Sequence, residues 1–467
     1  MTIAEERATA NRFVLSEDEV PQRWYNLVVD LPYEIEPPLH STEERPALEE
    51  DYDWLWPTEC LRIEFLKGRY ATDPWIEVPE PVLRTYTRYR PSTLVRAKGL
   101  EEYLDTPHRI FYKREDLNPG GSHKFNTALA QAYYAAQDGV ETLVTDTGAG
   151  QWGTALALAC AAFGLKLKVF MVRKSFDEKP YRRNLMRMLG AEVISSPSRT
   201  TRTGRDVLEK DPDSPGSLGI GMAEAIELVR SEPSHRLALG CMSYYAAMHQ
   251  TVIGLETQAQ LAQAGVGADV LVGCVGGGSN FTGFVAPFVT GTGTDRPLCI
   301  AAEPASVPTL TQGEFRYDWA DYERQTPRIP MYTLGSDRRS ALPRQDPDSL
   351  QPRQAQPDHP EGLRAAEGLR GRAAVPAHGG CAARARELPR HPRGHRGGAA
   401  WRQAAHHRRL PQRARLSGPA GVRGCPRSRL TTMSSVSADD AGLLPHRRET
   451  PFLTRWRSGR RPGCTSR

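Results

Sequence analysis

Between about residues 90 and 303 short apolar runs alternate with amphipathic stretches. VETLVTD (140–146), LKLKVFMV (165–172), AEVISS (191–196), ADVLVGCV (268–275) and PLCIAAE (297–303) are rich in Val, Ile and Leu and are bounded by turn-forming residues, so they predict strands. GQWGTALALACAAFG (150–164) and the stretches 181–189, 221–230 and 244–264 carry apolar residues at helical spacing. This alternation predicts an α/β fold of parallel-rich sheets flanked by helices. Chemistry in such folds gathers where a strand end meets the helix that follows.

The flanks read differently. Residues 1–90 are polar, aromatic and Pro-rich (RWYNLVVDLPYEIEPPLH, EDYDWLWPTECLRIEF), which suits an extension wrapped on a larger body. After Asp337 the chain contains no Ile, Tyr or Lys, only one Phe, and 27 Arg against 9 acids. The pattern divides the chain into an extension (1–90), a first lobe (91–240), the start of a second lobe (241–337) and an Arg/Pro-rich tail (338–467). The tail lacks the apolar content to offset its ordering entropy. A basic nucleic-acid-binding arm and a plain linker are open readings of it. The favoured one is an out-of-frame translation, because the break falls inside what should be a folded lobe and Arg/Pro/Ala/Gly excess is what GC-rich DNA yields in a wrong frame.

Charge sharpens the same boundary. The net charge is +6, but the tail contributes 27 − 9 = +18, which leaves −12 on residues 1–337. An acidic body argues against nucleic acid as the main partner. The best membrane candidate, 156–172, is interrupted by Lys166 and Lys168, and the charged N-terminus has no apolar core of a signal peptide. A cytoplasmic protein with no membrane contact is expected. The eight cysteines form no C-x-x-C pair and have no zinc-ligand spacing with His, so buried thiols in a reducing compartment are expected and no metal site.

Three segments carry chemistry. In KREDLNPGGSHKFNTALAQAYYA (113–135) a Gly-Gly-Ser loop opens an Ala-rich helix with Lys124 at its start. A lysine that condenses with an aldehyde must be a neutral amine, and a positive helix end lowers its pKa. In VTDTGAGQWGTALA (144–157) the small-residue turn Thr147, Gly148, Ala149, Gly150 and Gln151 aims backbone N–H groups at one place, as a carboxylate requires. In LVGCVGGGSNFTG (271–283) Gly276, Gly277, Gly278, Ser279 and Asn280 stand between a strand and a helix as a phosphate cradle; neither a dinucleotide fingerprint nor a P-loop fits them. Taken singly, a solvated lysine or an ordinary βα turn explains the first two as well. Taken together, amine, carboxylate turn and phosphate cradle make a site for pyridoxal 5'-phosphate and an amino acid. His249 and Glu256, on the helical pattern of CMSYYAAMHQTVIGLETQ (241–258), read as structural.

GGSHKFNTAL, DTGAGQWG and CVGGGSN, in this order and spacing, resemble the tryptophan synthase β chains. RWYNLVVDLPYEIEPPLH, HQTVIGLE, PDSPGSLGI and EPASVPTLTQGEFRYD resemble their second, longer form, over roughly residues 10 to 337. The resemblance implies a two-lobed enzyme of fold type II, using pyridoxal phosphate to join L-serine and indole into L-tryptophan. It implies a homodimer, and an α chain as a further partner. It implies that Lys124 holds the cofactor and takes the α proton, that His123 neighbours the phosphate, and that Asn126 contacts the phenolic oxygen. It assigns the phosphate to Gly276–Asn280 and the serine carboxylate to Thr147–Gln151.

Three departures stand out. Asp146 occupies the place of the family's acid/base Glu; the shorter arm withdraws its carboxyl by about one bond, and misplacement of about 1 Å can cost about 10²-fold. RPSTLVRA (90–97) stands for R-P-T-P-L, a mild change. The family's late Ser-Gly loop, which serves the pyridine nitrogen, has no convincing counterpart; LSGPAG (416–421) is too thin, so an incomplete C-terminal lobe is expected. Other fold type II enzymes, such as serine or threonine dehydratases and cysteine synthases, and a non-catalytic remnant that binds the cofactor, are the competing readings.

Overall fold

The computed structural model describes residues 10–31, 33–289 and 296–335, and the backbone of 431–436. In chain order the strands are β1 (Arg12–Phe13), β2 (Arg23–Tyr25), β3 (Trp75–Glu77), β4 (Leu94–Arg96), β5 (Arg109–Arg114), β6 (Thr142–Thr147), β7 (Lys166–Val172), β8 (Glu192–Ser196), β9 (His235–Leu237), β10 (Val270–Cys274), β11 (Leu298–Ala302), β12 (Glu314–Asp318), β13 (Ile329–Thr333) and β14 (Thr431–Val436). Two sheets dominate. One has the order β8-β7-β6-β9, all parallel. The other has the order β1-β4-β5-β14-β10-β11, parallel from β5 to β11 and antiparallel at the β1–β4–β5 edge. Two separate hairpin-like pairs, β2–β3 and β12–β13, complete the strands.

Helices follow the strands as parallel connections require. Gln151–Phe163 follows β6, Pro180–Met188 follows β7, and Ser279–Val289 follows β10. The N-terminal arm has no core of its own. Its Trp24, Leu55, Ile63, Tyr70 and Tyr86 are buried in one cluster with Leu143, Val144 and Phe170 of the four-stranded sheet and Leu156 of the helix Gln151–Phe163. Each such aliphatic or aromatic burial contributes roughly 1.5–3 kcal/mol, enough to hold an arm whose own strands and helices are short. A second cluster, with Phe13, Phe111, Leu271, Phe281 and Phe284, fills the six-stranded sheet.

Two features differ from the sequence pattern. The helix expected over 244–264 is broken into Tyr244–His249 and Val252–Gln263. At the break Thr251 Oγ1 donates to the Met248 carbonyl at 2.7 Å and accepts the Tyr25 N–H at 2.9 Å, so local and arm contacts replace helix bonds. Gly283 of a crossing helix also packs there, directly on Gln250. The second difference is β14. The featureless tail expected from residue 338 lies almost wholly outside the described residues, but Thr431–Val436 forms a strand inside the six-stranded sheet. It pairs in parallel with β5 on one side (Val436 opposite Arg114) and with β10 on the other (Gly273 opposite Ser435). Six residues with two Thr and one Val, set in Arg-rich sequence, are too short for a pattern to reveal.

Candidate active site

The three loops named from the sequence lie at the ends of β5, β6 and β10 and the helices that follow them. Lys124 caps the helix Phe125–Gln137 in helical conformation, and its N–H donates to Ser122 Oγ at 3.3 Å. The loop before it turns on Gly120 and Gly121, at φ +81° and +77°. A Cβ on Gly120 would rest 3.6 Å from Thr154 Cγ2, so the lysine loop lies against the helix Gln151–Phe163 that the carboxylate turn opens.

That turn begins on the last residues of β6. Asp146 and Thr147 are buried, and Thr147 Oγ1 accepts the N–H of Gly153 at 3.2 Å. Gly150, at φ +97°, starts the helix; a side chain there would be strained and would press on Arg182 Cδ at 3.0 Å. Gln151 is 2 % exposed, yet its Oε1 has no partner among the described residues. Leu218 lies over the turn, 3.4 Å from where a Cβ of Gly148 would be.

The cradle follows β10. Gly276 has open space where a Cβ would project, Gly278 takes φ +91°, and Gly277 packs on Cys241. Ser279 and Asn280 begin the helix Ser279–Val289, so its unbonded N–H groups face the cradle. Ser279 Oγ donates to the Gly240 carbonyl at 3.4 Å and Asn280 Nδ2 to the Cys274 carbonyl at 3.3 Å.

Sequence reasoning missed the segment that joins these loops. Leu239 exchanges hydrogen bonds with Gln131 of the lysine helix, N–H to Oε1 at 3.0 Å and Nε2 to carbonyl at 2.8 Å. Gly240 next to it touches the ring of Trp152 and receives the Ser279 hydroxyl. Cys241 meets Gly277. Residues 239–241 thus tie the lysine helix, the carboxylate turn and the cradle into one site. The signal in the sequence was only a Leu-Gly-Cys after β9.

Electrostatics distinguish two groups. Burial pushes the Asp146 carboxyl up to about 7, although its own backbone N–H and the Lys124 ammonium pull the other way. Burial, and then the neighbouring Lys124 charge, hold His123 down to about 3, against the opposing field of Glu115. A 3 % exposed, neutral imidazole results, with both ring nitrogens lacking a partner among the described residues. His249 is fully buried beside Trp24, with Nδ1 3.0 Å from Thr127 Oγ1 and Nε2 without a partner among the described residues, and burial holds it down to about 3. Its packing matches a structural role. Glu256 is also fully buried, paired with Arg90 and Lys113.

The donor set fits pyridoxal phosphate. Unpartnered imidazole nitrogens at His123, an open glycine cradle at a helix start and a buried carboxyl beside a lysine are what a phosphorylated aldehyde and an amino acid need. Asn126 fits less simply. Its Oδ1 accepts from Tyr89 OH and Arg90 Nη1, both at 2.9 Å, and its Nδ2 donates to Gln250 Oε1 at 2.8 Å, so the amide is engaged within the protein.

A profile of the family described as pyridoxal-phosphate dependent enzyme matches residues 86–340. The chain is similar to tryptophan synthase beta chain 2 of Thermotoga maritima, at 48 % identity over 69 % of this chain and 76 % of that protein. It is similar to tryptophan synthase beta chain 2 of Methanothermobacter thermautotrophicus, at 49 % identity over 70 % of this chain and 75 % of the other. The tryptophan synthase beta chain of Thermococcus gammatolerans is 47 % identical over 69 % of this chain and 72 % of its own. Among solved structures, threonine deaminase isoform 2 of Solanum lycopersicum overlaps 64 % of this chain and 66 % of its own at 16 % identity, with a TM-score of 0.39. With the family profile over more than half the chain and relatives near half identical, this chain belongs to the pyridoxal-phosphate-dependent enzymes of fold type II, in the tryptophan synthase β chain family.

Proposed function

We propose that this chain makes L-tryptophan by β-replacement, in tryptophan biosynthesis: the hydroxyl of L-serine leaves as water and C3 of indole takes its place. The observation that carries the reading is the pairing of Lys124, at a helix start, with a buried Asp146 carboxyl pushed up to about 7 at the end of β6.

When bound, pyridoxal phosphate supplies an electron sink for charge left at the serine α carbon. The chain's own groups divide the remaining work. Lys124 Nζ holds the cofactor and carries the serine α proton. The backbone N–H groups of Thr147 to Gln151 orient the serine carboxylate, so that its Cβ–O bond faces Asp146. Burial favours the protonated form of Asp146, as a proton donor to a departing hydroxyl needs, and as a carboxylate it accepts the indole N–H. Gly276 to Asn280 and the helix start behind them hold the phosphate. His123, neutral, would stand beside the phosphate as an N–H donor without bringing a charge that would compete with Lys124. Residues 239–241 keep these groups in register.

The relatives support serine and indole as substrates; a homodimer, an α chain as a second partner and a cytoplasmic setting belong to the proposal. Among the described residues no helix is long and apolar enough to cross a membrane. The test is the visible spectrum of the full chain with pyridoxal phosphate, before and after L-serine, followed by product analysis with indole. A visible band that changes on serine, is absent in Lys124→Ala, and leads to tryptophan is expected. Pyruvate in place of tryptophan would make the chain a dehydratase, and soluble protein without any band would overturn the reading.

A further inference from the structure

Four charged side chains are fully buried beneath the lysine helix: Arg90, Lys113, Glu115 and Glu256. Two cations balance two carboxylates. Arg90 donates to Glu256 from Nε (2.7 Å) and Nη2 (2.9 Å), and to Glu115 from Nη1 and Nη2 (3.1 Å each). Lys113 Nζ donates to Glu256 Oε2 at 2.6 Å, to Gln260 Oε1 at 2.9 Å and to the Ser92 carbonyl at 2.8 Å. Glu115 also takes the Ser92 hydroxyl at 2.5 Å and Asn118 Nδ2 at 2.6 Å. Burying charges is costly, and well-packed apolar residues would serve stability as well or better. A buried ion cluster is thus weak evidence for added stability.

The cluster meets the lysine helix at Asn126, whose Nδ2 also lies 3.5 Å from Glu115 Oε2. Arg90 Nη1 reaches Asn126 Oδ1 at 2.9 Å, while Tyr89 OH takes the same oxygen at 2.9 Å and Tyr86 OH takes the Asn126 carbonyl at 2.8 Å. Asn126 stands two residues beyond Lys124, in the first turn of the lysine helix. With its Oδ1 saturated and its Nδ2 on Gln250, that side chain has one orientation. Glu115, held by the same guanidinium, is the carboxylate whose field reaches His123.

We infer that Arg90 is a positioning residue of the cofactor site, acting through Asn126 to fix the first helical turn from which Lys124 projects. This rests on the reading that Lys124 holds pyridoxal phosphate, and it gives Asn126 a role inside the protein in place of a direct contact with the phenolic oxygen. The fork of Arg90 is essential because it bonds two carboxylates and an amide at once; a lysine carries the charge without the planar set of donors.

The experiment uses the full chain. Pyridoxal phosphate is titrated into wild type, Arg90→Lys, Asn126→Ala, the double variant and Tyr89→Phe. Affinity is read from the visible band and from tryptophan fluorescence, together with the pH midpoint of the band and the thermal midpoint of the apo protein. Arg90→Lys and Asn126→Ala are each expected to weaken cofactor affinity 10-fold or more and to move the band's pH midpoint. The double variant should be no weaker than the poorer single, since both act along one path. Tyr89→Phe removes one bond to Asn126 without leaving a buried charge unpaired, and should weaken affinity severalfold even if Arg90→Lys does not fold. A lowered thermal midpoint with unchanged affinity and band would reduce Arg90 to a structural role and overturn the inference, as would effects that multiply in the double variant. Absence of a band in wild type would overturn the proposed function and this inference together; a normal wild-type band with an unchanged Tyr89→Phe would overturn the inference alone.

Discussion

A Cβ on Gly240 would lie 2.6 Å from Cδ2 of Trp152. No other residue type fits there without moving the indole, and Trp152 is itself pinned, its Nε1 donating to Thr145 Oγ1 at 2.7 Å. Because the Gly240 carbonyl also accepts the Ser279 hydroxyl, a shift at this residue is felt at the phosphate cradle as well as at the carboxylate turn.

Gly240→Ala should therefore lower stability by about 1–3 kcal/mol, the usual cost of overpacking, and weaken cofactor affinity in the same variant. Urea unfolding and pyridoxal phosphate titration measure the two effects. A variant as stable as wild type, with unaltered tryptophan emission, would show that the contact relaxes without consequence.

Asp146 couples chemistry to stability. Its folded pKa, about 7, lies above the ordinary 3.8, so the folded chain binds more protons between those values than the unfolded chain does. Stability from this group is complete below pH 3.8 and is lost as pH rises through 7, by roughly 4 kcal/mol at most. In Asp146→Asn that part of the pH dependence should vanish, so the apo variant should gain on wild type as pH is raised from 5 to 8. Tryptophan formation should fall by about 10²–10⁴-fold, the typical worth of a positioned acid/base. Parallel pH–stability curves for the two proteins would contradict the burial of a titrating carboxyl at this position.

His123 shows the opposite sign. Its folded pKa, about 3, is below the ordinary 6.5, so its contribution is present above pH 6.5 and is lost as pH falls toward 3. Two buried ring nitrogens without partners among the described residues are a cost to the apo fold. His123→Leu should then raise apo stability by about 1 kcal/mol or more, flatten the acid limb of the pH–stability curve, and weaken pyridoxal phosphate binding. A less stable variant would mean that the imidazole is a packing residue in the apo chain.

Legibility in the sequence follows a physical division. Strands β6, β7, β8, β10 and β11 were legible to within two residues at each end (VETLVTD for β6, ADVLVGCV for β10), because a strand covered on both faces must be apolar along its length, whereas β5, β9 and β14 were not read. The turns at Gly120–Gly121, Gly150 and Gly278 were legible because glycine spacing encodes a backbone shape locally. The Arg90 cluster was not, because Arg90 and Glu256 are 166 positions apart and each, in sequence, is an ordinary charged residue. The hub at Gly240 was hidden for the same reason. The break at Gln250–Thr251 escaped because the contacts that cause it come from Tyr25 and from Gly283.

Strand β14 makes the sharpest demand on the tail. Among the described strands, β5 and β10 do not bond to each other; each bonds to β14. β5 leads into the lysine loop and β10 into the 276–280 loop, so Thr431–Val436 bridges the two strands from which those loops start. A central strand of a parallel ladder tolerates no proline, since the missing N–H leaves a neighbour's carbonyl unpaired and the ring crowds the ladder. Ser434→Pro, in the middle of this strand, should therefore lower stability by about 3 kcal/mol and weaken cofactor affinity more than ten-fold, while the same substitution at Ser417, outside any described strand, should change neither. A chain ending at residue 335 should behave like Ser434→Pro. If the shortened chain keeps the thermal midpoint and cofactor affinity of the full one, β5 and β10 do not need β14, and the tail contributes nothing to the site.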